Sequence, residues 1–340
     1  MTKFSDYFEQ WLYKEDGYYA KYKTIGKEGD FFTAVSTSKF FGGSIAKKLI
    51  QTIEEGFLPK DTTILEVGAH HGYLSADIIQ FIYTIKPKLL ETLNFAIVER
   101  YDNLQEKQKA YFEESFGDAI NLKHYKCIED VKLDSAFVVA NEIFDAFPCE
   151  LVNTKDDILE QAFVKDNKII WQKCEDEELI KTCKTNQITK GEVSLGFKSF
   201  AQSLSENINT FEFVTFDYGD EYPRNDFSCR IYQKHNVYPI FDEKINLKEL
   251  FKKTDITYDV NFSYLINCFK KVGVENTIYE TQLKALVRFG IIDLLEILHK
   301  NTDEKTYLKE TNRVKTLLEP TGMGDRFKMA TFRKTTKKKR

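Results

Sequence analysis

The hydrophobic and polar positions of this 340-residue chain change rhythm near residue 62. Before that point Phe4, Phe8, Trp11 and Leu12 recur at helical spacing, and so do Phe40, Phe41, Ile45, Leu49 and Ile53. A polar loop from Gly26 to Thr33 separates the two stripes. After residue 62, short apolar runs alternate with amphipathic stretches. Ile64–Val67 reads as a strand, Ser75 to about Ile85 as a helix and Asn94–Glu99 as the next strand. A helix through Leu104 and Tyr111 follows, and Ala136–Ala140 makes a third apolar run. Runs this short and this apolar suit parallel strands buried on both faces. The alternation predicts a doubly wound α/β sheet.

Beyond Pro148 the pattern breaks. Residues from about 151 are polar, with short alternating runs at Gln161–Val164 and Lys168–Trp171, as expected of an inserted α+β subdomain. Glu212–Asp217 resumes the buried-strand style, helices are expected around Phe262–Val272 and Gln282–Lys300, and Phe327–Phe332 reads as a closing strand. The predicted organisation is a helical cap over 1–60 and the first part of a Rossmann-like core over 61–150. An inserted subdomain over 151–208, completion of the core over 209–333 and a basic disordered tail over 334–340 follow.

Composition narrows the class. With 42% hydrophobic and 30% charged residues the chain has material for a sizeable core. Its net charge of −4 provides no global field for nucleic acid, so no nucleic-acid partner is expected. Cys127, Cys149, Cys174, Cys183, Cys229 and Cys268 form no C-x-x-C pair and no zinc spacing, so no metal is expected and a reducing cytoplasm is. Asp6, Glu9, Glu15 and Asp16 come early, without the apolar core of a signal peptide, and no run of about 18 apolar residues predicts a membrane span.

The candidate chemistry sits at strand ends. The first strand stops at Glu66 and enters a turn bracketed by Gly68 and Gly72, where small residues let the backbone approach a nucleotide-type cofactor. A nicotinamide site calls for G-x-G-x-x-G, which is absent. Instead the first and last glycines fit the E-x-G-x-G-x-G pattern of S-adenosyl-L-methionine-dependent methyltransferases, with His70 at the middle position, able to stack on or hydrogen-bond the ligand. The second strand ends at Glu99, where a carboxylate accepts from both hydroxyls of a ribose. The third runs into Asn141, Glu142 and Asp145, an acidic group that attracts a cationic acceptor, and a guanidinium pairs best with carboxylates. The Pro-Pro-aromatic motif of base-methylating enzymes is missing, since Glu142 and Ile143 occupy its place.

These features, in order, resemble the MidA family of bacterial and mitochondrial methyltransferases, also called the complex I assembly factor 7 family. The markers include Gly29–Thr33, Phe41-Gly42, Glu66–Leu74, Ile97–Glu99 and Leu104 with Gln108. Asn141–Pro148, Asp217–Gly219, Arg230–Tyr232 with His235, Thr281-Gln282 and Met323-Gly324 continue them. The resemblance implies a Rossmann-like class I methyltransferase fold, S-adenosyl-L-methionine as cofactor and arginine in a protein as methyl acceptor. It implies that Gly68, Ala69 and Gly72 hold the cofactor's amino-acid part, assisted by Glu66 or Thr33, and that Glu99 takes the ribose. Asn141 and Glu142 would line the transfer point. Asp30, Asp145 and Asp217 would hold the cationic head, and His235 would accept a proton or orient a neighbour. The chain departs from the family at Ala34–Thr37, Gly43, His70 and Asp259. Two other readings therefore stay open: a degenerate fold kept as an assembly or binding factor, and a methyltransferase for a small molecule or another side chain.

Overall fold

A computed structural model describes residues 1–21, 33–233 and 236–335. The chain divides into two compact units. One comprises the described residues of 33–143, 202–217 and 269–335, and the other those of 1–21, 144–201 and 218–268.

The larger unit is built on strands β1 (Thr63–Val67), β2 (Asn94–Val98), β3 (Leu122–Tyr125), β4 (Leu133–Asn141), β5 (Ile208–Asp220), β6 (Glu275–Thr281) and β7 (Phe327–Lys334). They lie in the order 3-2-1-4-5-7-6. The five from β3 to β5 pair in parallel, and β6 pairs antiparallel with β7. From β1 the chain moves outward to β2 and β3, and β4 then starts the other half. This reversal creates a crevice beyond the carboxyl ends of β1 and β4. Helices α1 (Phe40–Glu54), α2 (Tyr73–Ile85), α3 (Asp102–Phe116), α4 (Gln282–Arg288), α5 (Ile291–Asn301) and α6 (Glu304–Leu318) belong to the same unit. Phe41, Leu49, Ile78, Ile82, Phe137, Phe216, Leu286 and Met329 meet in its core. At about 25 cal/mol per Å² of apolar surface removed from water, this burial is the main term holding the sheet to its helices.

The smaller unit places an antiparallel sheet, Thr2–Lys3, Glu150–Lys155, Ile158–Lys165, Lys168–Lys173 and Lys190–Val193, with the N-terminal helix Phe4–Leu12. Its two hairpins turn on Asp156-Asp157 and Asp166-Asn167, all four at φ between 50 and 61°. Positive φ at both central residues matches the twist of the flanking strands. Trp11 is buried and its indole N–H donates to the Thr254 carbonyl at 2.6 Å.

The division falls elsewhere than the sequence reading put it. Phe40–Glu54 packs on α2 as part of the sheet unit, because its apolar stripe matches that of α2 (Gly42 and Gly43 allow the helices to touch). Segment 218–268 clusters with the insertion instead of completing the core. The helix expected over Gln282–Lys300 is two helices broken at Gly290, which sits at φ 86°. Arg333 and Lys334, expected at the edge of a disordered tail, are the end of β7: Arg333 Nε donates to Glu212 at 2.5 Å. Residues 336–340 of that tail lie outside the described residues, and so does most of the Gly26–Thr33 loop. No helix among the described residues is long and apolar enough to cross a membrane.

Candidate functional site

The parallel register gathers the strand ends. Val67 is opposite both Val98 and Ala140, and Phe216 is opposite Asn141. Gly68, Glu99 and Glu142 therefore follow the ends of three adjacent strands at one edge, with Asp217 on the neighbouring β5, which continues to Asp220, the strands lying about 4.8 Å apart.

After β1 the chain must turn sharply into α2. Gly68 takes φ 73°, its N–H donates to the Val98 carbonyl at 3.2 Å, and it is exposed. A Cβ there would stand 3.0 Å from Ile143 Cγ2. His70 also lies in the left-handed region, at φ 47°. That explains why a glycine is usual at this position. Histidine is among the side chains that tolerate it, at a cost of about 1 kcal/mol. The His70 ring meets the ring of His71 edge-on at 4.1 Å, and His71 stacks on Tyr73. Ala69 is buried, and its carbonyl accepts from the Gly72 N–H at 2.8 Å.

Glu66 is buried at the end of β1, where its Oε2 accepts from the Ser75 N–H at 3.0 Å and from the Ser75 hydroxyl. It ties the first turn of α2 to the strand. Burial pushes its carboxyl up to about 7. A carboxyl raised in the fold lends stability below its unfolded pKa, and that stability is lost as pH rises through the folded value. Relative to the parent, a Glu66→Gln variant is expected to gain about 3 kcal/mol between pH 4.5 and pH 8. Denaturant titrations at the two pH values check this, and a gap that stays constant would refute it.

Glu99 follows β2 and is 7% exposed. Its Oε1 accepts from the Tyr101 N–H at 3.1 Å, its N–H donates to the Tyr125 carbonyl, and its own carbonyl accepts from Gln105 Nε2 at 2.7 Å. Burial raises its carboxyl above the ordinary range. Asn141 Nδ2 donates to Glu142 Oε1 at 2.7 Å, and the Ala34 N–H points to the same oxygen at 3.4 Å. Glu142 sits at φ 55° with its N–H on the Phe216 carbonyl. Asn141 Oδ1 is buried with no hydrogen-bond partner among the described residues. Thr33 Oγ1 accepts from the Ser36 N–H and caps the short helix Ala34–Thr37, so its hydroxyl has a local partner. Asp217 is fully buried on β5.

Asp145 belongs to the other unit. It is buried and accepts from the Tyr218 hydroxyl, which also lies 3.0 Å from Thr257 Oγ1. Burial pushes it up to about 6, against the pull of that hydroxyl and of Arg230. Arg230 lies 4.7 Å over the Tyr218 ring and pairs with Asp259 at 2.6 Å. Asp30 and His235 lie outside the described residues.

The sequence reading missed Ser75, which positions Glu66, and Ile143, which closes the floor under Gly68. Gln108 it had only as a family marker. Its signal was legible: Leu104, Gln108 and Phe112 form one stripe on α3, and a glutamine in an apolar stripe needs buried partners.

The arrangement fits an adenosine-type cofactor. The exposed backbone at Gly68 leaves room, Glu99 offers a buried carboxylate as hydrogen-bond acceptor, and Asn141 Oδ1 is a buried acceptor with no partner among the described residues. Sheet order and strand ends together define a class I methyltransferase that uses S-adenosyl-L-methionine. The chain belongs to the family described as "Putative S-adenosyl-L-methionine-dependent methyltransferase", whose model matches residues 44–279. Among its relatives is the Danio rerio protein arginine methyltransferase NDUFAF7, mitochondrial, 22% identical over 92% of this chain and 78% of that one. The Caenorhabditis elegans homologue is 23% identical over 75% of this chain and 65% of its own. A Burkholderia thailandensis protein solved with S-adenosyl-homocysteine superposes with a TM-score of 0.81 at 22% identity, covering 98% of this chain and 87% of that chain.

Proposed function

We propose that this methyltransferase modifies a nitrogen of an arginine side chain in a protein substrate. The observation that carries the reading is the pair of carboxylates on neighbouring strands, Glu142 directly after β4 and Asp217 within β5, one position past the Asn141–Phe216 pair. The names of the animal relatives, protein arginine methyltransferases, support it. When bound, S-adenosyl-L-methionine supplies a methyl group activated on a sulfonium sulfur. The Gly68–Gly72 turn, with Ala69 and His70, gives backbone room to the cofactor's amino-acid part. Glu66 holds that turn in place and Thr33 caps the helix facing Glu142. Glu99 accepts from the ribose hydroxyls, and Asn141 Oδ1 accepts a further donor.

A guanidinium has a pKa above about 12, so it reacts only as it gives up a proton. Glu142 localises its charge and takes that proton, and Asp217 holds the second edge of the planar group. Asp30, Asp145 and His235 stay in the proposal through the family resemblance alone. A cytoplasmic setting belongs to it as well and rests on the scattered thiols of the sequence.

The test supplies the full chain and methyl-labelled cofactor to a cell lysate, followed by acid hydrolysis of the protein fraction. Label in methylarginine is the expected result. Label confined to small molecules or to other side chains would redirect the acceptor assignment. Binding of S-adenosylhomocysteine with no label transferred would make the chain a binding factor.

A further inference from the structure

The strand Lys168–Lys173 lies at one border of the antiparallel sheet in the smaller unit, and among the described strands it pairs with Ile158–Lys165 alone. Lys165 is opposite Lys168 across the Asp166-Asn167 turn, so these two exchange the first pair of ladder bonds, and the ladder then alternates. The Cys174 N–H reaches the Leu159 carbonyl at 2.8 Å, in step with that alternation. Ile169, Trp171 and Lys173 therefore turn their N–H and C=O groups away from Ile158–Lys165, and these groups have no partner among the described residues. The opposite border is covered. There the Thr189 N–H donates to Asn225 Oδ1 at 2.9 Å, and a Cβ on Gly191 would stand 3.2 Å from the Asp226 carbonyl oxygen.

Two further features say what the open ladder takes. Lys165 and Lys168 are exposed and directly opposite each other, and neither has a carboxylate within ion-pair distance among the described residues. Like charges so placed repel. An anion beside them relieves that repulsion, whereas a second copy of the same strand adds to it, which is how lysines keep such borders from pairing among themselves. Trp171 is half-buried, 5.7 Å from the Phe227 ring and stacked on Phe241 at 6.1 Å, and Phe241 is 42% exposed. A side chain placed beside Trp171 by a new strand meets an aromatic surface.

We propose that this border is a docking strand for an extended acidic segment of a partner protein, which adds to the sheet through the backbone of Ile169, Trp171 and Lys173. An apolar residue of the segment rests against Trp171, and a carboxylate three positions away meets Lys165 and Lys168. That odd offset puts the two side chains on opposite faces of the added strand, as Trp171 and Lys168 are on theirs. Main-chain bonds hold such a segment and the side chains select it.

The probe is a seven-residue peptide, blocked at both termini, with valine at its centre, two threonines on each side and a glutamate at either end. It reads the same in both directions, so parallel and antiparallel docking both bring a glutamate to Lys168. Nuclear magnetic resonance on the full chain is expected to show slowed amide exchange at Ile169, Trp171 and Lys173 when the peptide is added, with Thr189 and Gly191 unchanged. A version with lysine ends is expected to bind about tenfold more weakly, the effect of reversing two exposed charge pairs. The double variant Lys165→Glu, Lys168→Glu should reverse that preference. Ile169→Pro deletes an outward N–H while keeping the ladder bonds on the other side, and is expected to lose the peptide. Should it fail to fold in a thermal melt, the charge reversal decides alone. The proposal is overturned if millimolar peptide leaves exchange at the three amides unchanged, if the parent binds both peptides alike, or if the double variant keeps the parent's preference. Slowed exchange that appears without peptide as the protein concentration rises would give this border to a second copy of the chain, and would overturn it too.

Discussion

Glu99→Gln is expected to weaken binding of S-adenosylhomocysteine by on the order of a hundredfold, the loss of two charge-assisted bonds from ribose hydroxyls. The same variant should melt no lower than the parent at pH 8, and this separates binding from folding. Burial holds the Glu99 carboxyl above its ordinary range. The ionised form therefore lowers the stability of the ligand-free fold, and the stability this group lends below its unfolded pKa is lost as pH rises through the folded one. Glutamine keeps the shape and removes that cost. Isothermal calorimetry and a thermal melt on the same preparation give both numbers. Unchanged affinity would remove the adenosine site from this strand end.

The second large effect lies in the smaller unit. Gly219 pairs with Val260, and a Cβ on it would stand 2.1 Å from the Val260 carbonyl oxygen and 2.8 Å from its nitrogen. The obstacle is backbone, so no rotamer relieves it. Gly219→Ala is expected to cost about 3 kcal/mol or more, with the pairing of Asp220 and Asn261 lost alongside. Urea unfolding followed by far-UV circular dichroism measures it. A midpoint equal to that of the parent would mean that these strands do not approach as described.

Much of the sheet was legible because each parallel strand is an apolar run too short for a helix, bounded by turn residues. Ile64–Val67, Asn94–Val98 and Ala136–Ala140 show this. Glu275–Thr281 was not read as a strand. It alternates polar residues with Ile278 and Tyr279 and, pairing with β7 alone among the described strands, sits at the border of the sheet, where burial imposes no continuous apolar run. The hairpin turns were present in the letters as Asp-Asp and Asp-Asn pairs, but neither is the Asn-Gly that marks such turns most strongly. At the site, the glycines and Glu99 were readable from spacing. What Glu66 does was not: whether a strand-end carboxylate meets a ligand or the next helix depends on Ser75, nine positions on, folding back over it. The unit boundaries were hidden for a related reason. They depend on which distant segments pack together, and Phe40–Glu54 carries the same kind of stripe as Phe4–Leu12 while joining a different unit.

The order in which the sheet is assembled has a consequence for synthesis on the ribosome. By residue 281 the chain has delivered six strands, yet β5 waits for β7, which emerges only with residues 327–334. Until then the border formed by Phe211, Phe213, Val214 and Phe216 has no neighbour on that side, an open ladder of the kind that draws in foreign strands. Residues 327–334 thus close an apolar border of the sheet, and nascent protein that has not yet delivered them would be a form in need of a chaperone.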